Sequence, residues 1–152
     1  MSEIVYLDVC CFKRPFDDAA VERVRKEAEA VAAILDAVRA GAFVLVRSPA
    51  HDFENERNPR EDRRLATRLW LDAATASVTA TVAVAARARE LAVLGFGALD
   101  ALHLACAEQS AARWFVTTDD RLLKRATAER ERLQVEVIRP DQIPIEMGGD
   151  DV

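Results

Sequence analysis

Apolar positions recur along this chain in two rhythms. Short runs that are largely apolar, Glu3–Leu7, Ala42–Arg47, Trp114–Thr117 and Val135–Ile138, read as strands. Runs of this kind suit the interior of a parallel sheet covered on both faces. Between them the period lengthens. Val21, Val24, Ala28, Val31, Leu35 and Val38 return at steps of three and four and predict one helix over roughly 19–40, closed by Gly41. Ser48-Pro49 opens a short helix, serine as cap and proline in the first turn. After the break at Asn58-Pro59 a helix over about 60–75 is expected to turn Leu65, Leu69, Trp70 and Ala73 inward. Ser77–Ala80 reads as a short strand or a linker. Further helices carry Val84–Ala92, Leu99–Cys106 and Asp120–Arg130, with Gly95–Gly97 closing the first of them. Strands alternating with helices predict an α/β fold of three layers, α/β/α, around a mainly parallel sheet. The pattern spans 1–139. The segment 140–152, with two prolines, two glycines and four acidic residues, is expected to be loosely ordered.

Composition narrows this picture. At 152 residues, 51% of them apolar, the chain fits one domain of about 150 residues with an ordinary core. Its longest apolar run, Ala30–Leu35, is far short of the roughly 20 residues of a spanning helix. No membrane segment is expected. Met1-Ser2-Glu3 does not open a secretory leader, so the expected location is the cytoplasm. Three cysteines, two of them adjacent, fit reduced thiols rather than a disulfide scaffold, and their spacing matches no ordinary zinc pattern. A net charge of −5 argues against a basic nucleic-acid clamp, but not against an enzyme whose metal ligands are acidic.

Ligands of open parallel sheets bind beyond the carboxyl ends of the strands. Asp8 follows the first strand and leads into the apolar Val9-Cys10-Cys11-Phe12, which would bury it. Asp119 follows the strand Trp114–Thr117; taken alone it reads as a helix cap. Asp100 sits in the apolar stretch Gly97–Cys106, where it needs a partner or a place in the first helical turn. Glu54 lies six residues after Ser48, and alone it is a solvated acid beside Glu56. Together, four carboxylates at one sheet edge repel one another and persist where divalent cations sit among the oxygens. Hard oxygen ligands select Mg²⁺ or Mn²⁺, ions suited to activating water for attack on phosphorus.

These residues resemble the PIN domain, a family of metal-dependent ribonucleases that includes the VapC-type toxins. The resemblance rests on Tyr6-Leu7-Asp8-Val9-Cys10-Cys11-Phe12-Lys13-Arg14-Pro15-Phe16-Asp17-Asp18, on Ser48 with Glu54 and Asn58-Pro59, on Asp100-Ala101-Leu102-His103-Leu104-Ala105, and on Phe115-Val116-Thr117-Thr118-Asp119-Asp120. It covers nearly the whole chain. It implies that Asp8, Glu54, Asp100 and Asp119 are the catalytic metal ligands, with Thr117 in a supporting place and Asp120 an optional extra. It further implies Mg²⁺ or Mn²⁺ as cofactor, RNA as substrate, a small antitoxin as partner and a homodimer. The second motif can also be read with Glu56 in place of Glu54.

Arg14 is expected to hold a phosphate or to neutralise Asp17 and Asp18. Arg57, Arg60, Arg63, Arg64 and Arg68 form either a phosphate path or a solvated helix face. Trp70 and Trp114 read as core, and His103 as a satisfied structural histidine. Two rivals accompany the nuclease reading. One is a non-catalytic PIN-like module that binds RNA or protein. The other is a phosphohydrolase with Asp8 as nucleophile, disfavoured because Cys10 stands where such enzymes place a second acid.

Overall fold

The computed structural model describes residues 2–145. Five strands, β1 (Glu3–Leu7), β2 (Phe43–Arg47), β3 (Ala76–Ser77), β4 (Trp114–Val116) and β5 (Glu136–Ile138), form a single sheet in the order β3-β2-β1-β4-β5. Every pairing is parallel. Seven α-helices accompany them among the described residues: α1 (Val9–Lys13), α2 (Glu22–Arg39), α3 (Pro49–Glu56), α4 (Glu61–Asp72), α5 (Val82–Val93), α6 (Ala98–Gln109) and α7 (Asp120–Ala128).

The strands alternate faces, as their period of two requires. Val5, Leu7, Phe43, Leu45, Trp114 and Val116 join α1, α2 and α4 in one core. Tyr6, Val46 and Phe115 join α5, α6 and α7 in the other. The result is the expected three-layer α/β/α arrangement. Gly41, at φ +82°, ends α2, where Ala42 N–H reaches back to the Ala37 carbonyl at 2.9 Å. β1 lies between β2 and β4, so the chain reverses its direction of travel across the sheet at the β1–β4 boundary. In such sheets that boundary opens a crevice at the carboxyl ends of the strands.

Several details differ from the sequence expectation. α4 buries Thr67 and Leu71, and leaves Leu69 71% and Leu65 47% exposed. At ~100° per residue, α4 is turned by about a third of a revolution from the expected face, with Trp70 at the margin of both. Trp70 is only partly buried, with the Arg39 guanidinium 4.5 Å above its ring, whereas Trp114 is in the core. The segment read as strand or linker pairs at Ala76–Ser77. Residues Pro140–Gln142 form a 3-10 turn and Ile143 is buried against the α2 core, so the chain is packed past the point where it was expected to loosen. The remainder of that tail, 146–152, lies outside the described residues. No helix among the described residues is long and apolar enough to cross a membrane.

Candidate metal centre

Asp8 is placed by the sheet and by the helix it starts. Its N–H donates to the Val116 carbonyl at 2.9 Å, extending the β1–β4 ladder by one step. The backbone then turns into α1, and the carboxylate splits its two oxygens. Oδ1 accepts from Val9 N–H at 2.8 Å as the helix cap. Oδ2 accepts from the Thr117 hydroxyl at 2.7 Å. Thr117 Oγ1 in turn accepts from Asp119 N–H at 3.1 Å, so one hydroxyl ties the ends of β1 and β4 together. Burial pushes the Asp8 carboxyl above its ordinary range, while His103 and the Thr117 hydrogen bond pull the other way. Asp119 caps α7: Oδ1 accepts from Arg121 and Leu122 N–H at 2.9 and 3.3 Å. Its Oδ2 accepts no hydrogen bond among the described residues. Capping engages one oxygen and leaves the other for a second task.

Glu54 comes from α3 and meets α6. Its Oε1 lies 2.9 Å from His103 Nε2. A ring nitrogen facing a carboxylate carries a proton, so Nε2 donates. On the other side of the ring, Nδ1 lies 2.6 Å from the Tyr6 hydroxyl, which lies 2.6 Å from the Ser48 hydroxyl. Tyr6, Ser48 and His103 are buried. The chain Ser48–Tyr6–His103–Glu54 therefore fixes the acid from inside the core. His51 supports it separately. Its Nδ1 accepts from Ser48 N–H at 3.0 Å and its Nε2–H donates to the Leu7 carbonyl at 2.7 Å. Burial, then repulsion from His103, lowers its pKa to about 3, so the ring stays neutral. The neighbouring acids on α3 point elsewhere. Asp52 pairs with Arg47 at 2.7 Å, and Glu56 is exposed. Asp8, Glu54 and His103 each present one ligand-type atom, all within 4.8 Å of one another.

Asp100 sits in the first turn of α6, where the N-cap residue is Gly97 and no side chain caps the helix. Its pKa is raised to about 6, first by burial, then by the charges of Asp8 and Asp119, with Glu54 adding to them and His103 opposing. The four carboxylates thus share one electrostatic field. No lysine or arginine pairs with any of them among the described residues; His103 on Glu54 is the sole basic contact. Two carboxylates ~5 Å apart repel by about 3 kcal/mol at an effective dielectric of about 20.

A family profile for the PIN domain matches residues 5–128. The chain belongs to the PIN-domain family. No curated protein matches it closely enough to count. Among solved structures, it resembles a chain of VapBC2 from Rickettsia felis, bound there to a DNA fragment from their promoter. That likeness has a TM-score of 0.57 at 11% identity, and it covers 90% of this chain and 98% of the other. At that identity it bears on the fold.

Around this PIN-domain centre the remaining candidates separate. Asp120 faces away from the cluster. It accepts from Arg23 at 2.7 and 2.8 Å and from Arg139 at 2.9 Å, which lowers its pKa to about 2 and tethers α7 to α2 and to the end of β5. Arg14 pairs with Asp17 at 3.0 Å and with Glu27 at 3.1 Å; Asp18 instead accepts from Ala20 N–H in a turn. Glu27, buried on α2 and also 3.3 Å from Arg23, escaped the sequence reading. Its signal was there: an acid standing between Val24 and Val31 on an apolar face. The Glu54 contact of His103 carried no such signal, since the partners are 49 residues apart.

The donor set fits a hard divalent cation. The clustered ligand atoms are carboxylate oxygens of Asp8 and Glu54 beside His103 Nε2, no lysine or arginine pairs with these acids, and no cysteine joins the cluster among the described residues.

Proposed function

We propose that this PIN-domain chain is a divalent-metal-dependent endoribonuclease, the toxin of a toxin–antitoxin pair acting in the cytoplasm. The observation that carries the reading is the cluster of Asp8, Glu54 and His103, whose ligand atoms lie within 4.8 Å of one another, with Asp100 in the field of Asp8, Asp119 and Glu54 and no lysine or arginine paired with any of the four acids among the described residues; on this reading Asp8, Glu54, Asp100 and Asp119 act together. These residues would hold Mg²⁺ or Mn²⁺, which when bound makes water nucleophilic near neutral pH and neutralises charge on the leaving oxygen of a phosphodiester. The protein's own part is positional. Thr117 and the α1 amide fix both oxygens of Asp8, the α7 amides fix one of Asp119, and His103 holds Glu54. Such acids need little rearrangement when the cation and substrate arrive.

A small antitoxin as partner is supported by the VapBC assembly to which the fold is similar. Phe53 on α3 and Leu65 and Leu69 on α4 are apolar side chains left outward that such a partner can cover. A homodimer is supported by α5, which exposes Val82 by 84% and Val93 by 87%. Light scattering should give twice 16.8 kDa; the monomer mass at high micromolar concentration would reject the dimer.

The deciding test is RNA cleavage in Mn²⁺ or Mg²⁺, stopped by EDTA and reduced by orders of magnitude in Asp8→Asn and Asp119→Asn. Asparagine caps a helix about as well as aspartate, so both variants stay folded. Wild-type cleavage by both would overturn the nuclease reading. Metal binding without cleavage by the native chain would favour a non-catalytic binding module.

A further inference from the structure

We propose that Lys13, Arg14, Asn58 and Arg63 form a phosphate subsite beside the carboxylate centre, one that takes a backbone phosphate of single-stranded RNA flanking the scissile one. The assignment of RNA rests on the nuclease reading above. The subsite itself rests on a separate pocket of about 280 Å³, lined by these four residues together with Asp17 and the Cys10–Thr118 wall. That wall is shared with the centre. Cys10 is two residues past Asp8, its Sγ lies 3.4 Å from Thr117 Oγ1, and it accepts from Thr118 N–H at 3.4 Å.

Three observations point to an oxyanion. The first is charge. The lining carries three cations, Lys13, Arg14 and Arg63, against one carboxylate, Asp17. The second is arrangement. Asp17 accepts from Arg14 at 3.0 Å and stands 3.9 Å from Arg63, and Arg63 also donates to the Phe16 carbonyl at 3.2 Å. Both guanidinium groups are thereby held in place at the pocket wall, and Glu27 anchors Arg14 as well at 3.1 Å. The third is unused donor capacity. Arg14 Nε, Arg63 Nε and Asn58 Nδ2 are buried and have no hydrogen-bond partner. Lys13 has no ion-pair partner among the described residues. Leaving a buried donor unpaired is unfavourable, and folded proteins keep few of them. The three lie on residues that line one pocket, where the side chains of Arg14 and Arg63 keep 19% and 24% of their surface exposed and can offer donors to an acceptor-rich group. A phosphate supplies those acceptors, carries the matching charge, and suits the planar guanidinium fork.

The variants are Lys13→Gln and Arg63→Gln. Arg14 is spared because its pair with buried Glu27 supports the fold. Binding of a fluorescein-labelled pool of randomised single-stranded RNA is followed by anisotropy in EDTA, so cleavage is not required. Each variant should raise Kd about tenfold, as expected for a lost hydrogen bond to a charged group. The slope of log affinity against log salt should become shallower by about 0.7, one phosphate contact on a single strand. Arg25→Gln, an exposed change on α2 away from the pocket, should leave both unchanged. In parallel, inorganic phosphate at matched ionic strength should raise the Tm of the native chain and not that of the double variant. Native RNA affinity in both variants, or equal stabilisation by phosphate of native and double variant, would overturn the subsite. A native chain that binds RNA through this pocket and never cleaves it would instead leave the subsite standing and remove the nuclease reading.

Discussion

Replacing Asp100 by asparagine should make the metal-free protein more stable, and the gain can be estimated. In the folded chain its carboxyl titrates at about 6 rather than 3.8, because burial and the charges of Asp8 and Asp119 disfavour ionisation. An acid whose folded pKa lies above its unfolded value favours the unfolded chain once ionised. The cost is absent below about pH 4, grows between about 4 and 6, and is constant above that. At 1.36 kcal/mol per pH unit the displacement corresponds to about 3 kcal/mol. Asp100 keeps partial contact with solvent, so screening reduces this to about 1–2 kcal/mol. For a chain of this length each kcal/mol moves Tm by ~2–4 °C. Asp100→Asn should therefore melt about 2–8 °C above the native chain at pH 7.5 in EDTA, and the two should converge near pH 4. Scanning calorimetry at both pH values, with and without saturating Mn²⁺, is the assay. With metal the order should reverse, because the native chain gains the binding energy and the variant loses a ligand. A lower Tm for Asp100→Asn in EDTA at pH 7.5, or a difference that persists at pH 4, would refute the argument that these carboxylates repel one another.

Saturating Mn²⁺ at 100 times its Kd should stabilise the native chain by about 2.7 kcal/mol, and an unchanged Tm would exclude a metal centre. Tyr6→Phe removes the hydroxyl that joins Ser48 to His103 and should cost about 1–3 kcal/mol in denaturant unfolding; it should also lower cleavage by freeing Glu54, and unchanged cleavage would show that the acid does not depend on that chain of hydrogen bonds. Glu27→Ala leaves Arg14 without its buried partner and should destabilise by about 3 kcal/mol, the low end for breaking a buried pair, read as a loss in urea midpoint.

What the sequence made legible follows from locality. β1, β2 and β4 were visible because strands covered on both faces are apolar without interruption. The placement of Asp8 and Asp119 at the carboxyl ends of β1 and β4 was visible because each comes just after such a strand. That α3 turns Glu54 toward His103 and leaves Glu56 in solvent was not legible, since the contact joins residues far apart in the chain. The orientation of α4 was not legible. Leu65 and Leu69 look like an inward pair, but the face that packs is decided by α1, α3 and β2, whose approach no local pattern encodes. The same holds at Pro140, where proline and acid content suggested loosening, yet Ile143 finds a gap in the α2 core. Composition describes a segment's own preferences, and tertiary contact overrides them.

Asp8 and Asp119 each give one oxygen to a helix terminus, and this dual employment bears on how such a chain changes over generations. A single-base transition converts an aspartate codon to an asparagine codon. Asparagine keeps the cap, the size and the rotamer, so the fold survives a change that strips the centre of a charge. On the proposed nuclease reading, loss of chemistry and loss of structure are thereby uncoupled at these two positions. A lineage under pressure to silence the proposed activity would have, at each of them, a one-step route that leaves a folded, surface-intact protein behind.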